Sequence, residues 1–391
     1  MTSSLRTANT SSPSGGVHGI TRRGWLLIAL GVVFAAYAIP VGIHKGIDAE
    51  IHINAAQLLL ARRPLYSEAP GIGVWWPPFA VLALTPFALI ARVSMPLAKG
   101  VYSVISIVCL VWSIGRFGRA GHRYVATAVA AVAVPLQTNF DYLNLNAVLL
   151  ALLVAAGFDL AGGRDRRAGV WLGIATALKA FPVLLLIYLA YRRRWRALAW
   201  GAGVAAGLSA CALLPLGIPD ALTAAQHWFT SSAAGVWVAH PRNQSLPALL
   251  GRLGVPAAGI VTMDVLLVAM TAFALRRAPR DEELIYDLGI VALLMVLLSP
   301  LAWEHYYLLA MPAWLAVLAR VDERTRGFSA ALLATGIATS GFLTVWSGSL
   351  RGVLLEHSIY AWGALSLLLA LLIERIPFPA RRASLEGTVA T

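Results

Sequence analysis

The chain has few charged residues for its length: 13% of its 391 residues are Asp, Glu, Lys or Arg, whereas an ordinary soluble domain has about 25%. Hydrophobic residues make up 59% of the sequence, and the mean hydropathy is +0.74. A soluble core has no use for so much apolar sequence. The composition therefore excludes a soluble protein and indicates a membrane protein.

The sequence also has little of what metal, redox and nucleotide chemistry require. Its two cysteines, Cys109 and Cys211, lie inside apolar runs, which excludes a disulfide framework and predicts packing roles. The histidines include no His-x-x-x-His pair, so no zinc site is expected. No phosphate-binding glycine loop or dinucleotide fingerprint occurs, which argues against a nucleotide-fuelled pump and a nucleotide-sugar site. No cofactor is predicted.

Apolar runs dominate the chain, and a helix needs about 20 apolar residues to cross the hydrocarbon layer. Twelve runs approach that length: 24–43, 76–91, 100–115, 124–137, 144–161, 168–191, 196–217, 257–275, 284–299, 303–319, 327–346 and 358–374. They predict an all-α, polytopic integral membrane protein with about 10–13 transmembrane helices.

The net charge of +13 comes from arginines gathered in short clusters between the apolar runs. This is the pattern of cytoplasmic loops that obey the positive-inside rule, so nucleic acid is not expected as a partner. We predict a disordered cytoplasmic tail over 1–23, one membrane domain over 24–376 in the plasma membrane, and a cytoplasmic tail over 377–391. Two long polar stretches, 44–75 and 218–256, are predicted to lie outside.

Two arrangements of the helices are open. Strict alternation places the basic loops 116–123 and 164–167 outside, against the charge rule. If residues 76–95 and 168–191 are each a hairpin or broken helix that returns to its own side, both loops become cytoplasmic, and we favour this arrangement. The absence of an internal repeat weakens the alternative that the protein is a transporter or lipid flippase.

Asp48 lies directly after the first apolar run, at the level of the membrane surface. A carboxylate there can act as general base toward a lipid-borne hydroxyl, although a solvated loop carboxylate fits the pattern as well. Asp48 and Glu50 together are a weak candidate for a metal clamp. The following residues, 51–61, predict an amphipathic helix on the membrane face.

Lys179 is one of only three lysines and lies twelve residues inside an apolar run. A cation at that depth costs about 2.5–3.5 kcal/mol unless it reaches water or an anion. A phosphate is a suitable anion, and a snorkelling or internally paired lysine is the alternative. The polar patch 137–146, with Asn144 and Asn146, predicts either a ligand-binding group of amides or a simple capped loop.

Taken together, these segments resemble the GT-C membrane glycosyltransferases that use polyprenol-phosphate sugars, and within them glycosyltransferase family 87. The resemblance runs in order from about residue 44 to about residue 310. It rests on Asp48, Arg63-Pro64-Leu65-Tyr66, Trp76-Pro77-Pro78, Asn144 with Asn146, Lys179-x-x-Pro182, Asn243-Gln244-Ser245 and Ser299-Pro300-x-x-Trp303-x-His305. Members usually have Gly-Gln-x-Asn where this chain has Leu143-Asn144-Leu145-Asn146, and often have an aromatic residue at the position of His52.

The resemblance implies transfer of a mannosyl residue from a polyprenyl-phosphate donor to a glycolipid or lipoglycan acceptor on the outer face, with inversion to an α-mannoside. It implies that Asp48 is the general base and that Lys179 and His305 bind the donor phosphate. The residues implied to bind sugar or acceptor, or to shape the pocket, are His52, Tyr66, Asn144, Asn146, His240, Asn243 and Trp303. Metal independence is expected. Arabinofuranose or another polyprenyl-phosphate sugar is the alternative donor.

Overall fold

The computed structural model describes residues 22–66, 76–121, 124–233, 240–277, 284–319, 335–336 and 348–375. Within these ranges the chain is helical and contains no strand, as predicted for an all-α membrane protein. The predicted tails and the run 327–346 lie largely outside the described residues, so their placement stays a prediction.

In chain order the first nine helices are α1 (Arg22–His44), α2 (Ile47–Leu60), α3 (Pro78–Ala83), α4 (Thr85–Ala91), α5 (Met95–Arg119), α6 (Val125–Ala131), α7 (Ala133–Tyr142), α8 (Asn146–Ala161) and α9 (Asp165–Leu178). The next are α10 (Val183–Tyr191), α11 (Trp195–Leu213), α12 (Ile218–Ala233), α13 (Leu246–Arg252), α14 (Ala257–Ala274), α15 (Leu284–Leu297), α16 (Met311–Leu318), α17 (Gly348–Glu356) and α18 (Ile359–Arg375). Short 3-10 helices cover Leu214–Leu216 and Glu304–Ala310.

Three of the described helical segments are long and apolar enough to cross a membrane: α5, α11 with its 3-10 extension, and α14. Two bent pairs, α1 with α2 (54°) and α17 with α18 (59°), raise the number to five if each is one span. Within the described residues, fewer helices reach the length of a full span than the apolar runs predicted, for a physical reason. Several apolar runs are broken into shorter helices, and proline lies at the break or in the first turn of α3, α4 and α16.

Residues 165–191 have the form of a helical hairpin made of α9 and α10. Arg194, just after α10, pairs with Asp165 at the start of α9, with Nη1 and Oδ1 3.3 Å apart. Both ends of the segment therefore lie together, beside Arg164, which pairs with Asp159 at 2.7 Å near the end of α8. We call the cluster formed by Asp159, Arg164, Asp165 and Arg194 the basic end. Lys179, fourteen residues beyond Asp165, lies about 20 Å away along the helix.

The hairpin packs against α11 through glycines. A methyl group on Gly169 would lie 2.2 Å from the carbonyl oxygen of Ala197, and one on Gly173 would lie 2.5 Å from that of Gly201. Since these neighbours are backbone atoms, only glycine permits the contact. The spacing Gly169-x-x-x-Gly173 is the small-residue pattern by which helices pack closely in membranes.

Replacing Gly169 with alanine is therefore expected to destabilise the protein by about 1–3 kcal/mol, because overpacking must move α9 away from α11. Thermal unfolding of the detergent-solubilised protein measures the effect. The matched control is Gly207→Ala on α11, where an added methyl group meets nothing within 4 Å. A Gly169→Ala protein that unfolds at the same temperature as the control would contradict this account of the interface.

Helix α15 lies in the core: all of its residues except Tyr286 are buried. Its single charge, Asp287, is fully buried and forms ion pairs with Arg192 and Arg375. Tyr188 donates a further hydrogen bond to the same carboxylate at 3.0 Å. This cluster ties α10, α15 and α18 together, and through Arg192 it adjoins the basic end.

Candidate active site

Asp48 is placed by a sharp turn between α1 and α2. Gly46 stands in that turn, where a methyl group would lie 2.3 Å from the carbonyl oxygen of Gly42 and 2.9 Å from Cβ of Leu143. The close approach brings the first turn of α2 against the loop that precedes α8. As a result Nδ2 of Asn144 donates a hydrogen bond to Oδ2 of Asp48 at 2.6 Å.

The loop before α8 depends on an unusual backbone conformation. Leu143 ends α7 with φ at 54°, in the left-handed region that glycine adopts without strain. Members of the resembled family usually have glycine there, and the structure supplies the reason. The leucine side chain is fully buried against α1, so its packing offsets the strain and directs Asn144 toward Asp48.

Lys179 lies at the same point, where α9 ends before Pro182. Its Nζ donates hydrogen bonds to Oδ1 of Asn144 at 2.9 Å and to Oδ1 of Asn146 at 3.3 Å. The side chain is buried. One amide, Asn144, thus bridges the carboxylate and the ammonium group, using its donor for Asp48 and its acceptor for Lys179. This geometry explains how a lysine is tolerated within an apolar run.

His305, in the 3-10 helix that follows α15, completes the group. Its Nε2 lies 3.8 Å from Oδ2 of Asp48, and its backbone oxygen accepts a hydrogen bond from Nδ2 of Asn146 at 3.0 Å. The side chain is buried, and neither ring nitrogen has a hydrogen-bond partner among the described residues. An imidazole held this way can bind a group placed beside Asp48 and Lys179.

Aromatic rings surround these polar groups. Nζ of Lys179 lies 3.7 Å from the centre of the Tyr306 ring, and the Tyr142 and His305 rings are 5.1 Å apart. Trp303 lies farther out, 6.4 Å from Tyr142 and 5.5 Å from the ring of His240. Tyr142 and Tyr306 were not among the predicted site residues, and no sequence signal distinguishes them from interface aromatics.

Two predicted binding residues frame Asp48 on its own side. Nδ1 of His52 lies 2.6 Å from the backbone oxygen of Asp48, and the His52 ring stacks on Trp76 with centroids 3.7 Å apart. Since the carbonyl only accepts, the hydrogen bond places the proton on Nδ1. Tyr66 donates from its hydroxyl to the backbone oxygen of Trp76 at 3.0 Å, so it fixes the position of that tryptophan.

Asn243 has a different place from the other predicted residues. It is fully buried. Its Nδ2 donates to the backbone oxygen of Pro300 at 2.9 Å, and its Oδ1 accepts from the backbone nitrogens of Ser245 and Ala302. These contacts join the loop after residue 240 to the segment that carries Trp303 and His305.

His240 lies on the outside of this loop. Partial burial of its ring, followed by the nearby cations Arg242 and Arg252, lowers the pKa of the His240 imidazole. A lowered pKa favours the neutral ring, which can hydrogen-bond a hydroxyl group without adding charge.

Glu50 faces away from Asp48. Its Oε2 pairs with Nζ of Lys99 at 3.0 Å, and about half of its side chain is exposed. The described residues contain no cluster of three or more His, Cys, Asp or Glu side chains suited to a metal ion. No third ligand for a metal ion held by Asp48 and Glu50 is therefore present among the described residues.

A carboxylate next to a buried cation, with amides and aromatic rings around both, can bind a sugar phosphate and deprotonate a hydroxyl group. Within a polytopic helical protein, this is the arrangement of a membrane-embedded glycosyltransferase. The sequence model of glycosyltransferase family 87 matches residues 75–300, more than half of the chain, and the chain belongs to this family. The family predicted from the motifs is thereby confirmed.

The chain is similar to two mycobacterial enzymes, both named polyprenol-phosphate-mannose-dependent alpha-(1-2)-phosphatidylinositol mannoside mannosyltransferase. It is 26% identical to the one from Mycolicibacterium smegmatis, over 82% of this chain and 80% of the relative. With the one from Mycobacterium tuberculosis it shares 28% identity, over 79% and 78%. A Mycobacterium tuberculosis pentamannoside mannosyltransferase is 27% identical over 75% of this chain and 71% of the relative. No solved structure matches the chain at a significant level.

Proposed function

We propose that this family 87 enzyme moves a mannosyl residue from a polyprenyl-phosphate donor to a glycolipid or lipoglycan acceptor and inverts the anomeric centre. The names of its relatives support mannose as the sugar and a phosphatidylinositol mannoside as the acceptor class. The observation that carries the proposal is the contact of Asp48 and Lys179 with the same amide, Asn144.

In the proposed step the acceptor hydroxyl attacks the anomeric carbon and forms the new carbon–oxygen bond. Asp48 accepts the hydroxyl proton as the bond forms. The bond between the anomeric carbon and the phosphate oxygen breaks, and polyprenyl phosphate leaves with the electron pair. Attack opposite the leaving group turns a β-linked donor into an α-mannoside, and no covalent enzyme intermediate is needed.

The leaving phosphate gains negative charge as this bond breaks. Lys179 is the buried cation beside Asp48, and His305 offers two ring nitrogens without other partners among the described residues. Charge held in a water-poor site stabilises such a leaving group more than it would in water. We therefore assign the phosphate to Lys179 and His305.

The remaining residues take supporting roles. Asn144 orients Asp48 and Lys179, and Asn146 links Lys179 to the backbone of His305. We assign contact with sugar or acceptor hydroxyls to His52 and His240, and the wall of the pocket to Trp303. Tyr66 acts through Trp76, and Asn243 acts by positioning the loop of His305.

We place the reaction on the outer face of the plasma membrane, with the N-terminus in the cytoplasm. Support comes from the separation of charges along α8 and α9. The arginine-rich basic end lies about 20 Å from Lys179, and arginine-rich loops are retained on the cytoplasmic side. Asp48 and Lys179 then face outward.

The test is sugar transfer by the purified chain in lipid vesicles, with labelled polyprenyl-phosphate mannose and a phosphatidylinositol mannoside. We expect a mannosylated glycolipid whose new linkage is α, and the same rate after EDTA treatment. Transfer only from polyprenyl-phosphate arabinofuranose would identify arabinofuranose, not mannose, as the transferred sugar. If no polyprenyl-phosphate sugar supports transfer, the proposed reaction is wrong. Lipid movement across the vesicle membrane would then indicate a transporter.

A further inference from the structure

Two arginines stand beside the active site without contacting Asp48 or Lys179. Nη1 of Arg242 donates to the hydroxyl of Tyr142 at 2.6 Å, and Nη2 of Arg351 donates to Oε2 of Glu304 at 2.5 Å. Tyr142 packs on His305, and Glu304 precedes it in sequence. The proposed reaction assigns neither arginine a role.

Most charges at this end of the molecule are compensated. Four carboxylates each have a cation nearby: Asp48 has Lys179, Glu50 has Lys99, Asp141 has Lys45 and Glu304 has Arg351. Arg242 has no carboxylate partner among the described residues. Neither has Arg252, whose guanidinium donates to the backbone oxygens of His240 and Asn243 and to Oγ of Ser358. Among the arginines next to the Asp48 and Lys179 site, Arg242 and Arg252 are thus the two without an ion pair to a described carboxylate. Burial raises the pKa of the Glu304 carboxyl group, and Arg242, after Arg351, lies near enough to lower it.

These two cations differ in what they can still bind. All three nitrogens of the Arg252 guanidinium donate hydrogen bonds within the protein. Arg252 can therefore attract a bound anion by its positive charge but has no guanidinium nitrogen left to contact it. Arg242 is exposed and uses one guanidinium nitrogen for Tyr142. The edge formed by Nε and Nη2 has no hydrogen-bond partner among the described residues, and such an edge matches two oxygens of a phosphate.

The reaction brings two phosphates to the enzyme if its acceptor is a phosphatidylinositol mannoside. Among the described residues, Lys179 is the one lysine or arginine that contacts the amides around Asp48, and the proposed reaction uses it for the donor phosphate. A second phosphate therefore needs a cation outside the pocket. Arg242 is such a cation, next to the Tyr142 and Trp303 rings that lead inward.

We propose that Arg242, supported by the charge of Arg252, binds the phosphate of an anionic glycolipid acceptor and so selects acceptors that carry that charge. This inference rests on the proposed function. Tyr142 is the positioning residue, because its hydroxyl fixes one end of the guanidinium.

The test compares native and Arg242→Gln chains with two acceptors, a phosphatidylinositol mannoside and the uncharged octyl α-mannoside. We expect Arg242→Gln to raise the KM of the anionic acceptor about tenfold, the effect of losing one charge-assisted contact at an exposed site. The KM values of the uncharged acceptor and of the donor should change less than twofold. Arg242→Lys should recover part of the loss. Arg92→Gln, at another exposed arginine, is the matched control.

Three results would overturn the inference. A raised KM for the donor would assign Arg242 to the donor phosphate. Equal losses with both acceptors would indicate that Arg242 acts only by holding Tyr142 in place, and an unchanged KM for the anionic acceptor would show no role. Equilibrium binding of the phosphatidylinositol mannoside to both chains needs no turnover. If the native chain transfers no sugar but binds the phosphatidylinositol mannoside ten times more tightly than Arg242→Gln does, the proposed reaction is wrong and the anion site at Arg242 stands.

Discussion

Replacing Asp48 with asparagine is expected to lower the rate of mannosyl transfer by about 10²–10⁴-fold, the contribution of a well-placed general base. Asparagine has the same shape and can accept the hydrogen bond from Asn144, but it cannot take up the acceptor proton. The KM values should therefore change little while kcat falls. Initial rates with labelled donor, at matched amounts of folded protein, measure the effect.

Asp141→Asn is the matched control for Asp48→Asn. Asp141 lies at the same end of the molecule, is largely buried and pairs with Lys45 at 3.5 Å, but the side-chain hydrogen bonds of Asn144 go to Asp48 and Lys179 and not to Asp141. Its replacement should leave kcat within about threefold, the small effect typical of a weak ion pair. If Asp48→Asn retains as much activity as this control, Asp48 is not the base.

Replacing Lys179 with methionine is expected to lower kcat by about 10²–10³-fold, the loss seen when one charge-stabilising group is removed from a reaction centre. Methionine fills much the same space without the charge. The donor KM should rise as well, because the ammonium group also contacts the phosphate before the reaction. Kinetics at varied donor concentration separate the two effects.

Lys99→Met controls for the loss of a buried lysine. Lys99 is buried and pairs with Glu50, so its substitution carries a similar cost in stability without touching the Lys179 amides. We expect the Lys99→Met protein to keep its donor KM. Equal losses in both variants would mean that Lys179 supports only the fold.

Much of the fold was predictable because the relevant forces are local. The shortage of charge and the apolar runs indicated a helical membrane protein, Pro77 and Pro78 indicated a helix start, and Pro182 indicated a break in the run that contains Lys179. The number of full crossings was less accessible. Whether an apolar run continues or breaks into two shorter helices depends on what packs against the break, and periodicity does not report that.

The predicted site residues divide by the kind of signal that identified them. Lys179 was recognisable because it is a charge at a membrane depth where charge is costly. Asp48 was recognisable because it follows the first apolar run at the membrane surface, and the structure places both residues on Asn144. Asn243 belonged to a family motif, yet its amide is occupied by backbone groups in the structure. Motif membership alone does not separate a ligand contact from a loop support.

The sequence by itself determined the class of the protein: an all-α membrane enzyme of family 87 with a carboxylate and a lysine suited to sugar-phosphate chemistry. The helical membrane class follows from the cost of placing backbone and charge in hydrocarbon, which each segment meets on its own, and the family follows from motifs that recur in a fixed order along the chain. Only the tertiary structure decided which groups meet. Asp48, Asn144, Lys179 and His305 come from four separate segments, and they converge because Gly46, Leu143 and the α9–α11 glycines allow close approach between helices. Such contacts depend on packing over long sequence distances, and so does the placement of Arg242 beside Tyr142.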